Sequence, residues 1–276
     1  MKYGCCSNLL VGGPGGSGGG GSGIEFLDQI VAAGFDYIEM PIGQMMQLPD
    51  PEFEQLVRQI DASGVLCEVC TNFFLSSMRL TGASVDDEAI DRYVARALKR
   101  AQALQARVVV FGSGQARSVP AGFSHNEAFL QLSDMLKRIN PIAEACGVTI
   151  VIEPLRHQES NIINTFAEGC RLASSVNGSH VKVLVDYYHL ATEREPAQHI
   201  IDGADWLRHV HCAGLNHRCF PTCLDDSLNL DFFRALKTIG YDERISLEAF
   251  TDDFDDEAPA ALLYLKEQMA SAELFR

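Results

Sequence analysis

Val151-Ile152-Glu153-Pro154-Leu155-Arg156-His157-Gln158-Glu159-Ser160-Asn161 decides the fold of this chain. The β-branched run Val148 to Ile152 reads as a buried strand, and it stops on a carboxylate and a proline. A carboxylate at the end of a buried strand is costly unless a metal, a cation or a proton lies beside it. Three later strands end the same way: Val181 to Val185 runs into Asp186, Leu207 to Val210 into His211, and Arg244 to Leu247 into Glu248. The separations are 33, 25 and 37 residues, each about one βα repeat.

Outward from this stretch, short apolar runs alternate with amphipathic segments. Strands are predicted over Lys2–Ser7, Tyr37–Met40, Val65–Val69 and Arg107–Phe111, ahead of the four above. Helices are predicted over Ile24–Ala33, Pro51–Ala62, Val85–Ala103, Ser124–Cys146, Phe166–Ser175, Pro196–Gly203, Leu230–Ile239 and Ala258–Ala270. Ile90, Val94, Ala97, Leu98 and Ala101 form a helical stripe. Ser124 and Glu127 have capping-box spacing, and Gly147 is placed to stop that helix. Eight βα units imply parallel pairing and a single (β/α)8 TIM barrel over residues 1–276, with the four strand-end groups on its C-terminal rim. An open doubly wound sheet is the competing architecture, but it gives no reason for four such groups on successive strands.

The chain has 276 residues, 47 % hydrophobic, and a formal net charge of -15. An acidic chain without a basic stripe argues against nucleic acid as a partner. No apolar run reaches the roughly 20 residues that span a bilayer, and Met1-Lys2-Tyr3-Gly4 opens no signal peptide. Nine cysteines without framework spacing read as free thiols of a cytoplasmic protein. Broad barrel faces leave a homo-oligomer open.

Glu153, Asp186, His211 and Glu248 make an oxygen-rich set that suits Mn²⁺, Mg²⁺ or Co²⁺ better than structural zinc. An ion held by four protein groups keeps two octahedral positions for a carbonyl and a neighbouring hydroxyl of a sugar, and polarises the carbonyl. A glutamate on either side of the substrate then takes the adjacent proton from one face and returns it on the other, which is epimerisation. Return to the neighbouring carbon is aldose–ketose isomerisation. A lone strand-end carboxylate reads as a solvated loop residue, but four at one period do not. His209, two residues before His211, supports the site from behind or belongs to the core. His189, in the loop after Asp186, and Glu159 and Arg218 are hydroxyl and carbonyl partners for a polyol or solvated loop charges.

Other features carry less. Cys67 and Cys70 form a CxxC along a strand and read as core thiols, and Cys219 and Cys223 carry little weight as metal ligands. Gly12 to Gly23 lacks the ending of a phosphate loop and reads as a lid over the rim or as an engineered linker. Asp252, Asp253, Asp255, Asp256 and Glu257 read as a solvated, dipole-favourable start to the last helix.

Glu153-Pro154-Leu155, Glu159-Ser160-Asn161, Asn164-Thr165, Asp186 with His189, His209-Val210-His211, Arg218 with Pro221, and Leu247-Glu248-Ala249-Phe250 together resemble the sugar phosphate isomerase/epimerase superfamily of xylose isomerase-like barrels. Within it they are most similar to the ketose 3-epimerases, the D-tagatose and D-psicose group. The resemblance implies Mn²⁺ or a similar ion on Glu153, Asp186, His211 and Glu248. It implies C3 epimerisation through a cis-enediolate, with Glu153 and Glu248 as the acid/base pair and Glu159, His189 and Arg218 on the substrate. Gly214 stands where relatives often carry an acid. The longer His211–Arg218 spacing leaves His217 as an alternative to Arg218. A dehydratase of the inosose dehydratase kind is the alternative chemistry on the same barrel. A repair endonuclease of this barrel would need a histidine-rich site and a basic face, and a non-catalytic sugar-binding barrel would show no proton exchange.

Overall fold

Eight parallel strands hydrogen-bond in chain order and close on themselves in a computed structural model that describes residues 1–10, 21–221 and 227–272. They are β1 (Lys2–Cys6), β2 (Tyr37–Pro41), β3 (Leu66–Thr71), β4 (Val108–Phe111), β5 (Thr149–Ile152), β6 (Val181–Asp186), β7 (Leu207–Cys212) and β8 (Arg244–Leu247). Lys2 to Cys5 of β1 pair with Arg244 to Leu247 of β8, so no edge remains and the (β/α)8 barrel expected over the open sheet is formed. The helices are α1 (Leu27–Ala32), α2 (Ile42–Met45), α3 (Asp50–Ser63), α4 (Asp87–Ala103), α5 (Gly114–Arg117), α6 (His125–Cys146), α7 (Phe166–Val176), α8 (Tyr187–Thr192), α9 (Gln198–Asp202), α10 (Ser227–Thr238) and α11 (Phe254–Ser271). Residues 12–20 of the glycine-rich segment, and Cys223, lie outside the described residues.

Local chemistry sets the helix ends. Asp86 caps α4 by accepting from the Ala89 amide at 2.9 Å, and Ser124 caps α6 by accepting from that of Glu127 at 3.3 Å. Gly147, at φ 66°, ends α6 in the left-handed conformation that favours glycine. The stripe Ile90, Val94, Ala97, Leu98 and Ala101 is buried.

Two departures from expectation have physical causes. The last helix starts at Phe254 rather than Ala258, because Asp253 caps it through the Asp256 amide and Pro259 is absorbed in its second turn. Three short helices follow β2, β4 and β6, α2 and α8 directly and α5 after two residues, and they are too short to leave a readable period.

The core has two layers. A large apolar cluster lies between strands and helices, with Cys67 and Cys70 of β3 in it as free, buried thiols. Tyr37, Val69, Val108, Val110, Val151 and Leu184 form a separate cluster inside the barrel. Gly4 makes room for Tyr37, since a Cβ there would lie 2.1 Å from its ring. Above this plug the interior turns polar, which positions the site.

Candidate metal centre

Each of the four strand-end groups is placed by ladder pairing at the same barrel level. Asp186 and His211 are register partners on β6 and β7. Glu153 and Glu248 lie one residue past β5 and β8, and their amides still donate to Phe111 and Cys212 carbonyls at 3.1 Å. One ligand atom from each of Glu153, Asp186, His211 and Glu248 comes within 4.8 Å of the others. All four side chains are buried.

Three carboxylates this close repel one another. Burial, and then the charge of Glu248, push the Glu153 carboxyl above its ordinary range. Burial also raises Asp186. At Glu248 burial acts the same way, but Arg218 and His211 outweigh it and hold the group ionised. Nδ1 of His211 faces Glu248 Oε2 at 2.9 Å and Glu153 Oε1 at 3.3 Å. Burial would lower the His211 imidazole, but Glu39 and Glu248 outweigh it and hold the ring protonated, so its Nδ1–H donates to these carboxylates, and a divalent ion bound among them would take the place of that proton. The donor set, three carboxylates and one imidazole nitrogen, therefore fits a hard divalent ion.

The back of His211 is fixed by a residue that sequence reasoning missed. Nε2 of His211 lies 2.9 Å from Oε1 of Glu39, a fully buried carboxylate on β2. The other Glu39 oxygen accepts from Ser246 Oγ at 2.6 Å and lies 3.1 Å from His209 Nε2. Tyr37 OH meets Ser246 Oγ at 2.7 Å. Burial would raise Glu39, but His211 and His209 outweigh it and keep the carboxylate charged. His209 therefore backs the site, one hydrogen-bonded group behind His211. The thiol of Cys6 also gathers against Glu39 and His211. The available signal was a glutamate inside the apolar run Tyr37-Ile38-Glu39-Met40.

A cavity of about 1210 Å³ opens above the four groups, with Glu153, Glu248, Glu159, His189 and Arg218 among its lining residues. His189 sits on α8 rather than in a loop, because Asp186 caps that helix through the Tyr188 amide at 2.7 Å. Its Nδ1 takes the Arg156 amide at 3.4 Å, so Nε2 carries the proton. That Nε2 is buried without a hydrogen-bond partner among the described residues, 3.6 Å from Asp186 Oδ2. Burial, then Arg218 and Arg156, hold the ring neutral.

Arg218 reaches into the cluster. Its Nη2 donates to Asp186 Oδ2 at 2.9 Å and to Glu248 Oε2, and its Nε donates to the Glu248 carbonyl at 3.1 Å. His217 and Arg218 both adopt φ 54°, and His217 stays exposed at the rim. Arg218, not His217, is thus the residue that meets the carboxylates. Glu159 stands apart from the four, paired with Arg156 Nε at 2.6 Å, and Arg156 Nη1 also donates to Tyr188 OH at 2.6 Å.

Arg117 of α5 gave no sequence signal either. It is fully buried, and its Nη atoms donate to the carbonyls of Phe111 (3.2 Å), Glu153 (2.8 Å) and Ile163 (3.1 Å). It ties the ends of β4 and β5 together beneath Glu153. Burial lowers it to about 10, so it stays protonated at neutral pH.

A closed parallel barrel with an acidic, buried ion-binding cluster on its C-terminal rim defines a class of enzyme barrel. The sequence profile described as xylose isomerase-like TIM barrel matches residues 27–268, and the chain belongs to that family. It is 34 % identical over 114 residues to the 3-dehydro-D-guloside 4-epimerase of Escherichia coli (strain K12), covering 40 % of this chain and 42 % of that protein. It is 26 % identical over 264 residues to the ketose 3-epimerase of Arthrobacter globiformis, covering 91 % and 84 %. A solved D-psicose 3-epimerase, crystallised in the presence of D-fructose, shares the fold with a TM-score of 0.83 at 18 % identity, covering 98 % of this chain and 100 % of that one. Among the described residues no helix is long and apolar enough to cross a membrane.

Proposed function

We propose that this chain is an isomerase, a metal-dependent carbohydrate epimerase that acts on the carbon next to a ketose carbonyl. The observation that carries this is the convergence of Glu153, Asp186, His211 and Glu248 within 4.8 Å on the rim. The relatives named above, a ketose 3-epimerase and a 4-epimerase of a dehydro-glycoside, support the same chemistry.

Glu153, Asp186, His211 and Glu248 would hold one divalent cation, Mn²⁺ before Co²⁺ or Mg²⁺ by donor type. When bound, that ion supplies a Lewis acid that polarises the substrate carbonyl and acidifies the neighbouring C–H. Glu248, kept ionised by Arg218 and His211, takes the proton. Glu153, whose carboxyl is raised by burial and by Glu248, gives a proton back on the other face. The substrate passes through a cis-enediolate between these steps. His189 offers its free Nε2–H to a substrate oxygen. Glu159 fixes Arg156 at the wall and meets a hydroxyl. Arg218 adds positive charge where the enediolate develops. Residues 1–276 act as one unit, because β8 must pair with β1 for the rim to close.

The test is solvent exchange in D2O with Mn²⁺-loaded protein over a panel of free and phosphorylated ketoses, read by NMR. One sugar should lose its α-proton signal and yield its epimer, and Glu153→Gln and Glu248→Gln should each abolish the exchange. Full exchange in both variants would sink the assignment, and loss of water with a new double bond would make the protein a dehydratase.

A further inference from the structure

Charge divides the mouth of the barrel into two halves. The ends of β5 to β8 carry the carboxylates, imidazoles and guanidinium groups described above. Among the described lining residues that follow β2, β3 and β4, none is charged. That side presents the primary amides of Gln44, Gln47, Asn72 and Gln115. A primary amide offers two donors and an acceptor without charge, which matches a hydroxyl that both gives and takes a hydrogen bond. It does not match a phosphate or carboxylate, which charged donors bind more strongly.

The amide half is rigidly built. Gly43 donates its amide to the Asn72 carbonyl at 3.1 Å, and a Cβ at 43 would lie 2.6 Å from that oxygen. Asn72 and Ser113 hold left-handed backbones, φ 55° and 46°, at the ends of β3 and β4. Ser113 Oγ accepts from the Phe74 amide at 3.0 Å and locks the two strand ends together. Backbone held off its preferred basins persists where the surroundings over-determine it, typically at ligand sites. Asn8, after β1, lines the same cavity. It is buried, and its Oδ1 has no partner among the described residues. A buried acceptor in that state awaits a donor.

The cavity's size agrees. At about 1210 Å³ it exceeds the roughly 300–1,000 Å³ that holds a drug-sized ligand. A single sugar ring is smaller still. With its reacting carbon beside Glu153 and Glu248, it leaves the amide half unused.

We propose that the wall formed by Gln44, Gln47, Asn72 and Gln115 is a subsite for a second, neutral sugar ring, so that the substrate is a keto-sugar carried in a glycoside or disaccharide. This rests on the epimerase activity proposed above. The unlinked ring reacts at the ionic half, and the ring attached through its glycosidic oxygen lies on the amides. Arg156 and Arg218 are both engaged with carboxylates, which leaves no uncommitted lysine or arginine among the described lining residues for a phosphate.

The test compares α-proton exchange in D2O, with Mn²⁺-loaded protein, on D-fructose, a methyl 3-keto-glucoside and a 3-keto-disaccharide. The disaccharide should have a kcat/KM about tenfold or more above the methyl glycoside, equivalent to about 1.4 kcal/mol from the second ring. Combining Gln44→Ala with Gln115→Ala should erase most of that ratio, through KM rather than kcat. Equal kcat/KM for one ring and two, or a ratio unchanged in the double variant, overturns the subsite while leaving the epimerase in place. Exchange on no sugar of any size overturns the underlying activity, and the subsite with it.

Discussion

Nε2 of His211 and Oε1 of Glu39 meet at 2.9 Å across the inside of the barrel, joining β7 to β2. This contact leaves Nδ1 of His211 as the nitrogen that faces Glu153 and Glu248. A carboxylate behind a ligating imidazole fixes its tautomer and raises its basicity. Glu39→Gln should therefore weaken Mn²⁺ binding about 10- to 100-fold. Chelator competition or calorimetry on the purified variant reads this directly, and an unchanged affinity would show that Glu39 only fills space.

His189 makes a different prediction. Its Nε2–H is buried without a partner among the described residues, and His189 lines the cavity. His189→Asn should lower kcat/KM on the best sugar by about 10- to 100-fold, the size of one lost hydrogen bond to a developing charge. Mn²⁺ affinity, measured in parallel, should move far less, and an equal loss in both would place the residue among the ligands.

Arg117 holds three carbonyls that no other side chain among the described residues reaches. Arg117→Met keeps the length and removes the donors; the Phe111 and Ile163 carbonyls keep the Glu153 and Leu155 amides, while the buried Glu153 carbonyl loses the guanidinium. Unfolding in urea should show a loss of about 1–3 kcal/mol. A variant within experimental error of the parent would mean that water replaces the guanidinium there.

Glu68 governs acid stability at the opposite end of the barrel, where it pairs with Lys2 and with Arg244 Nε at 2.6 Å. Burial would raise its carboxyl, but these two cations outweigh it and hold the group below its ordinary range. A depressed folded value means the contribution is present above the unfolded pKa, about 4.3, and is lost as pH falls through the folded one. Glu68→Gln should lower the neutral-pH Tm by about 2–4 °C, corresponding to about 1 kcal/mol. The gap between variant and parent should narrow in a melting series as pH falls below the unfolded carboxyl's pKa, and a gap of constant width would rule out the ionised pair as its source.

The barrel and its four rim groups were legible because they follow a period. Glu153, Asp186, His211 and Glu248 sit where an apolar run ends, and the run itself marks the strand. Glu39 was not legible in the same way. It lies inside β2, beside a register shift between Ile38 and Glu39 in the pairing with β3, and its partners His209 and His211 are on a strand distant in sequence. Arg117 is hidden for a related reason: one arginine in a polar loop looks solvated until the fold brings three carbonyls to it. The start of α11 was misplaced because Pro259 reads as a first-turn residue, whereas the Asp253 cap begins the helix five residues after Glu248.

The ionic groups come from β5 to β8, and the neutral wall comes from segments between residues 42 and 116. Heritable change in the earlier half of the chain can therefore alter what the mouth admits without touching a donor in the later half. A barrel divided this way can diversify its diet while its reaction stays inherited.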